Sequence, residues 1–244
     1  LRDLSIPTAK LLGERGPAER KARRGELRKK ARELLNSGRE DRHARRSTFH
    51  WAVEFPEVMG RGGFDAFVGN PPFMGGQRLS GQFGVEYRDY LVERVAEGKR
   101  GSADICAYFL LRSGRLLKAT GYGGILATNT VGQGDTRDVG LGTLLGHGHS
   151  VFRAVPSRAW PGDANLEVAH VWHSRSEWNG KYFLDEREVP GITVQLSSPS
   201  RVSGAPFQLH ANSDKSFQGS IVLGLGFTLS HEEARQLMTQ RRAN

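Results

Sequence analysis

Short apolar runs bounded by Gly and Pro alternate along the chain with stretches whose apolar residues recur at helical spacing. The run Phe64 to Gly69 ends at Asn70-Pro71-Pro72 and predicts a buried strand, because proline cannot continue one. Further strands are predicted at 123–128, near 150–155 and near 166–173, and helices at 86–97, 103–118 and near 137–145. This order predicts an α/β fold containing the second half of a doubly wound, Rossmann-like sheet.

Other segments give weaker patterns. Phe49, Trp51, Val53 and Phe55 alternate, which predicts a strand or an extended segment, and the Gly-rich residues 75–84 predict a loop. In the helix at 103–118, one apolar face is predicted to contain Ile105, Tyr108, Phe109 and Leu116. Beyond Ser174 the chain becomes β-rich, with short strands predicted at 181–184, 192–196 and 217–229. Ser230 and Glu233 form a capping box for a last helix through Arg242.

Positive charge is concentrated in one segment. Residues 10–46 contain 14 Lys or Arg against 6 Asp or Glu, so they hold nearly all of the net charge of +9. Pro17 suits a first helical position and Gly38 a terminating one, which predicts a helix at 17–37, broken or weakened at Gly25. Such a helix is expected either to contact phosphates or to be a solvated surface element or disordered arm, and the sequence leaves these alternatives open.

The most specific chemical signal is Asn70-Pro71-Pro72-Phe73. In open α/β sheets, ligands bind beyond the carboxyl ends of strands, where Asn70 is predicted to lie. The Asn70 amide oxygen and the Pro71 carbonyl oxygen are two acceptors suited to an amino group with two hydrogens. Phe73 offers a flat surface on which an extruded base can stack. A methyl sulfonium donor would complete a methyl transfer to that amino group.

The segment from Phe49-His50-Trp51 through Glu54-Phe55-Pro56-Glu57-Val58 and Gly62-Gly63-Phe64-Asp65 to Asn70-Pro71-Pro72-Phe73 resembles the catalytic segment of adenine-specific DNA methyltransferases. Within that family it is similar to the large enzymes of fused restriction-modification and phage-defence systems, over about residues 47–230. The tetrapeptide alone also occurs in methyltransferases that act on protein glutamine or RNA guanine, and the Glu54 to Val58 lead-in favours DNA.

The resemblance implies that Asn70 and Pro71 hold the target amino group, that Phe73 stacks on the flipped adenine, and that S-adenosylmethionine is the methyl donor. Family members hold this cofactor with a Gly-rich turn between a strand and a helix, upstream of the tetrapeptide. No such turn is recognisable before Asn70 in this sequence. The chain is therefore expected to be the carboxyl-side portion of a longer enzyme, inactive alone, whose partners are double-stranded DNA and the amino-terminal portion of the same enzyme.

The expected domains are a basic helical segment (1–46), a partial catalytic core (47–174) and the start of a target-recognition domain (175–244). Two other functions remain open: a non-catalytic DNA-recognition or scaffold piece, and a methyltransferase of RNA or protein amino groups. No apolar run approaches the length of a membrane span, and the single cysteine, Cys106, lies in an apolar segment, so a cytoplasmic location is expected.

Several other polar residues are weaker candidates. Arg78, Lys99 and Arg100 flank the catalytic loop and are expected either to contact DNA phosphates or to be solvated loop charges. Asn129 either lines the pocket or stabilises a turn. The polar residues on or beside the predicted strand near 166–173 indicate a solvated face; they are Asn165, Glu167 and His170. The closest histidines, His147 and His149, have no third ligand beside them, so no metal site is predicted.

Overall fold

The computed structural model describes residues 16–36, 49–161, 166–200 and, within a further helix, 231, 232 and 235. Its α-helices are α1 (Pro17–Asn36), α2 (Trp51–Glu54), α3 (Pro56–Gly60), α4 (Gly76–Phe83), α5 (Val85–Tyr90), α6 (Ile105–Leu116), α7 (Gly134–Val139) and α8 (Leu141–Gly146). A π-helical turn (Leu91–Val95) extends α5, and a 3-10 turn (Asn129–Gly132) precedes α7. The strands are β1 (Phe64–Gly69), β2 (Leu117–Thr128), β3 (Ser150–Ala159), β4 (Glu167–Ser174), β5 (Tyr182–Leu184) and β6 (Arg187–Val189).

The six strands form one mixed sheet in the order β1-β2-β4-β3-β5-β6. β1 and β2 are parallel, β4 is antiparallel to both β2 and β3, and β5 pairs in parallel with β3. The α/β fold class is therefore confirmed, and the predicted strands at 64–69, near 150–155 and near 166–173 correspond to β1, β3 and β4. The chain divides into two compact units after Ser200, and the helices α1–α8 and strands β1–β6 lie in the first.

The helix α6 is buried over a wider surface than the predicted apolar face, with one exception. Ile105, Tyr108 and Leu116 are buried as expected, but Phe109 is 46% exposed. The buried stripe runs through Ala107, Leu110, Leu111 and Gly114. A Cβ at Gly114 would lie 2.8 Å from Leu144 Cδ1, so this small residue allows α8 to approach α6 closely. Large and small residues thus share the buried surface, and the small ones set how closely the two helices pack.

The segment 49–55 is not extended. Trp51–Glu54 form α2, and Pro56 occupies the first position of α3, where its missing N–H costs nothing. Ring centroids of Trp51 and Phe67 are 5.3 Å apart, and those of Phe55 and Phe64 are 5.4 Å apart. Aromatic packing against β1 stabilises these two short helices, so the prediction of a strand was wrong and the structural role of Trp51 is packing.

Three further predictions are corrected. Residues 75–84 were predicted to be a loop, but Gly76–Phe83 form α4. Leu79 is only 1% exposed, and burying its side chain stabilises the helix more than the glycines destabilise it. Residues 192–196 form a hydrogen-bonded turn instead of a strand, with Thr193 N–H donating to Ser197 O at 2.9 Å. The helix α1 is continuous through Gly25.

Two predicted helix boundaries also moved. β2 begins at Leu117, so Gly121 lies inside this strand and does not follow a helix to Lys118. A Cβ at Gly121 would lie 2.8 Å from Phe64 O, which explains glycine at this close approach of β1 and β2. The short helix near 137–145 is two helices, α7 and α8, separated at Gly140.

The predicted strands at 217–229, the capping pair Ser230 and Glu233, and Asn165 lie outside the described residues. Among the residues that the structure describes, no helix is both long enough and apolar enough to span a bilayer.

Candidate active site

The tetrapeptide lies directly after β1, at the carboxyl end of the strand. β1 pairs with β2 up to Gly69, opposite Ile125, and Asn70 is the first residue beyond this pairing. Asn70 and Pro72 are exposed, Phe73 is half-buried and Pro71 is buried. Within the described part of the chain, the Asn70 side chain makes no hydrogen bond. Its amide is therefore held by the backbone at a sheet edge while its acceptor oxygen stays available.

The other end of this loop is tied to the start of α6. Ile105 N–H donates to Met74 O at 3.0 Å, and Met74 N–H donates to Asp104 Oδ1 at 3.3 Å. The same carboxylate oxygen caps α6 by accepting from Cys106 N–H at 3.0 Å, and Asp104 N–H donates to Thr136 Oγ1 at 3.1 Å. The loop between β1 and α4 is thus fixed at both ends, with Asp104 as the shared acceptor.

Sequence reasoning did not identify Asp104. Its signal was an Asp immediately before an apolar helical run, which marks a helix N-cap. The contact that matters for the loop joins Met74 to a residue 30 positions later, and a cap pattern says nothing about such a distant partner.

Gly76 brings α4 against the same region. A Cβ at Gly76 would lie 2.4 Å from the carbonyl carbon of Ser102 and 2.7 Å from Ala103 O. We expect Gly76→Ala to lower the free energy of unfolding by about 1–3 kcal/mol, because backbone atoms on both sides must move apart. Gly81→Ala is the matched control in the same helix: its Cβ would meet nothing within 4 Å, so the helix should gain about 0.5–1 kcal/mol. Urea unfolding of both variants measures the difference, and equal effects would contradict the close-packing argument.

Asn129 lies at the same edge of the sheet, because β1 and β2 are parallel and it follows β2 directly. Its amide nitrogen donates to Glu167 Oε2 at 3.0 Å and to Ser157 Oγ at 3.5 Å. Ser157 also donates to Glu167. Asn129 therefore occupies a turn whose orientation is set by residues of β3 and β4. Glu167 is exposed, as predicted for a solvated face.

The candidate basic residues are all exposed. Arg78 lies on α4, and Lys99 and Arg100 follow the π-helical turn. Arg100 Nη2 lies 3.6 Å from Glu93 Oε1, an exposed ion pair that contributes little to stability. The three residues are on the segments that flank the Asn70 loop.

Cys106 is fully buried, and burial raises the pKa of its thiol to about 12. The thiol therefore stays protonated and uncharged at neutral pH, consistent with a packing role. His147 Nε2 lies 3.0 Å from Glu97 Oε2, whereas His149 is buried and contacts His173. No group of three or more metal-ligating side chains occurs among the described residues.

Upstream of β1, the described residues 16–36 and 49–63 form α1, α2, α3 and their connecting turns. Among these residues, no strand leads through a glycine-rich turn into a helix, which is the arrangement that holds a nucleotide-like cofactor. Gly62 and Gly63 lead into β1 instead. The residues described upstream of β1 therefore contain no turn of this kind.

An α/β sheet with an Asn-Pro-Pro-Phe loop after a parallel strand is consistent with a methylase. Comparison with known families agrees: the family model "Eco57I restriction-modification methylase" matches residues 10–138, more than half of the chain. The chain belongs to this family.

Two solved structures are similar to the chain. One is the type IIL restriction-modification enzyme MmeI in complex with DNA (17% identity, TM-score 0.49, covering 72% of this chain and 25% of that chain). The other is a modification subunit assigned to a type I restriction enzyme from Vibrio vulnificus YJ016 (15% identity, TM-score 0.35, covering 48% and 24%). The chain spans about a quarter of the length of each of these proteins. No curated protein matches it.

Proposed function

We propose that this chain is the target-base portion of a DNA methyltransferase of a restriction-modification or phage-defence system, which methylates the exocyclic amino group of adenine. The family supports a restriction-modification methylase. The observation that carries the rest is the exposed Asn70 amide, without a hydrogen bond among the described residues, at the carboxyl end of β1.

The chemistry assigned to the chain is to hold and activate the amino group. Asn70 Oδ1 and Pro71 O accept its two hydrogens, which localises the nitrogen lone pair and directs it away from the ring. Pro71 is buried and has no N–H, so at this position the backbone offers an acceptor but no donor. Phe73, half-buried beside them, offers one face to an extruded base, a contact of about 1–3 kcal/mol. S-adenosylmethionine would supply the methyl group.

The exposure of β1 supports a further portion of the enzyme as partner. Parallel strands are normally covered on both faces, yet Val68 is 89% exposed and Ala66 is exposed. Within the described residues β1 pairs with β2 alone, so its other edge offers unpaired backbone groups. We propose that the amino-terminal, cofactor-binding portion of the enzyme covers this edge and face.

In this proposal, residues 47–174 are the partial catalytic core and 175–244 begin a target-recognition domain. β5 and β6 extend the catalytic sheet at its far end, so the transition to the recognition domain would start within one continuous sheet. Arg78, Lys99 and Arg100 are assigned to DNA phosphates next to the loop.

A methylation assay on duplex DNA, RNA and protein substrates tests the proposal, with the chain alone and with the chain joined to an upstream portion that carries the Gly-rich turn. We expect methyl transfer to adenine in duplex DNA only from the joined protein, and titration calorimetry should detect S-adenosylmethionine binding only there. Transfer to RNA or protein instead would replace the proposed substrate.

The absence of a cofactor cradle from the described residues favours one second candidate, a non-catalytic DNA-recognition or scaffold piece. It predicts that the joined protein binds duplex DNA but transfers no methyl group to any of the three substrates.

A further inference from the structure

The surface between α1 and α3 is a cleft of about 800 Å³ lined almost entirely by one face of α1. We define it as the basic cleft; its residues are Pro17, Arg20, Lys21, Arg24, Gly25, Arg28 and Glu57. Four cations and one carboxylate therefore face the same space. We propose that the basic cleft binds the sugar-phosphate backbone of duplex DNA.

The four cations form a continuous stripe. Positions 20, 21, 24 and 28 recur at helical spacing, so they share one side of α1. From Arg20 to Arg28 the helix rises about 12 Å at 1.5 Å per residue. Phosphates on one DNA strand advance about 3.4 Å each along the duplex axis, so the stripe matches the length of about three or four of them.

One cation of the stripe has a structural partner. The Arg28 guanidinium donates twice to the Glu54 carboxylate, with Nε at 2.7 Å from Oε1. This hydrogen-bonded pair lowers the pKa of Glu54, whose side chain is 17% exposed, and it attaches α1 to α2. Arg28 therefore orients the helix so that the other three cations face the cleft.

The remaining cations have no hydrogen-bonded ion pair of this kind, although the charge of Arg24 contributes to the lowered pKa of Glu54. Within the described residues, Arg20, Lys21 and Arg24 form no ion pair, and Arg24 Nε is buried without a hydrogen-bond partner. Arg20 and Arg24 are four residues apart, and like charges at this spacing destabilise a helix by about 0.2–0.5 kcal/mol per pair. A polyanion in the cleft would offset this repulsion.

Burial of an apolar face does not explain the stability of α1 either. Its described side chains are exposed except for Arg20, Arg24 and Leu27, which are half-buried. A helix that is polar on most sides requires a partner or a dense set of ion pairs to be stable. The family match starts at residue 10 and so includes α1, and the choice of DNA as the polyanion rests on the proposed function.

The test compares two triple variants of the full chain in binding to a duplex of about 20 base pairs at several salt concentrations. Arg20→Gln, Lys21→Gln and Arg24→Gln remove three charges from the cleft. Arg23→Gln, Lys29→Gln and Lys30→Gln remove three charges from the opposite side of the same helix. We expect the cleft variant to bind about tenfold more weakly or worse, with a slope of log K against log salt reduced by about 2–3, and the control to change less than about twofold.

Equal weakening in both variants, or none in the cleft variant, would overturn the proposal. Glu57→Lys adds a charge to the cleft without touching α1 and should tighten binding and steepen the slope by about 0.9; unchanged binding would also count against it. If single- or double-stranded RNA binds through the cleft and duplex DNA does not, the partner is wrong. Because no methyl transfer is measured, these outcomes are independent of whether the chain belongs to an active methyltransferase.

Discussion

Replacing Asn70 by Ala is expected to lower methyl transfer by the joined enzyme by about 10²–10³-fold or more, because it removes one of two acceptors that polarise the target amino group. The affinity for duplex DNA should change less than about twofold, since phosphate contacts by Lys and Arg dominate affinity. Asn70 is exposed and makes no hydrogen bond among the described residues, so the substitution should leave the fold intact. Single-turnover transfer and a DNA-binding titration measure the two quantities separately.

Two variants control this result. Asn70→Asp keeps an acceptor oxygen in the same place and should retain more transfer than Asn70→Ala. Gln77→Ala removes a second exposed amide, seven residues away on α4, and should have little effect. Near-normal transfer by Asn70→Ala would exclude Asn70 from the mechanism, and a parallel loss of DNA affinity would show that it binds the substrate without activating it.

Local signals were sufficient for the part of the fold that carries the candidate site. β1 was predictable to the residue because Gly63 precedes it and Asn70-Pro71-Pro72 stop it. The stretches 150–155 and 166–173 correspond to β3 and β4 because each is a short, mainly apolar run that pairs with its neighbour. At these positions the propensity of the residues and the packing of the fold agree.

Predictions failed where distant contacts decide the structure. The alternation of Phe49, Trp51 and Phe55 is equally compatible with a strand, and only the packing of these rings on Phe64 and Phe67 of β1 selects short helices. The link between Met74 and Asp104 spans 30 residues. Contacts of this kind depend on topology, which periodicity in one segment does not contain.

The buried pair of His149 and His173 is another contact that the sequence did not indicate. Their Nδ1 atoms are 3.2 Å apart, so one ring must donate and the other accept. His173 is fully buried, and a Cβ at Gly123 would lie 2.1 Å from its Nε2, so glycine is required beside the ring. Within the described residues His173 Nε2 has no hydrogen-bond partner. The pocket therefore fits two neutral imidazoles, because burial outweighs the backbone hydrogen bonding at Ser174 that favours their charged forms.

The stability of the chain should consequently fall steeply in mild acid. Burial lowers the pKa of His173 to about 3, with a further contribution from His149, and lowers that of His149 to about 4, with contributions from Arg175 and His147. Both values lie below the ordinary value of 6.5, so the unfolded chain binds more protons than the folded chain between about pH 4 and 6.5. The free energy of unfolding should be level above about pH 7 and should decrease by about 1.4 kcal/mol per pH unit for each histidine below about pH 6.

Urea unfolding across pH 4–8 tests this expectation, and the decisive comparison is with the double variant His149→Leu, His173→Leu. Carboxylates elsewhere also take up protons in acid, but they are the same in both proteins, so the difference in slope isolates the pair. His147→Gln removes an exposed histidine, and this variant should still lose stability steeply below about pH 6. If the double variant loses stability in acid as steeply as the parent, the two rings are not held neutral by burial, and the close approach of Gly123 to His173 needs another explanation.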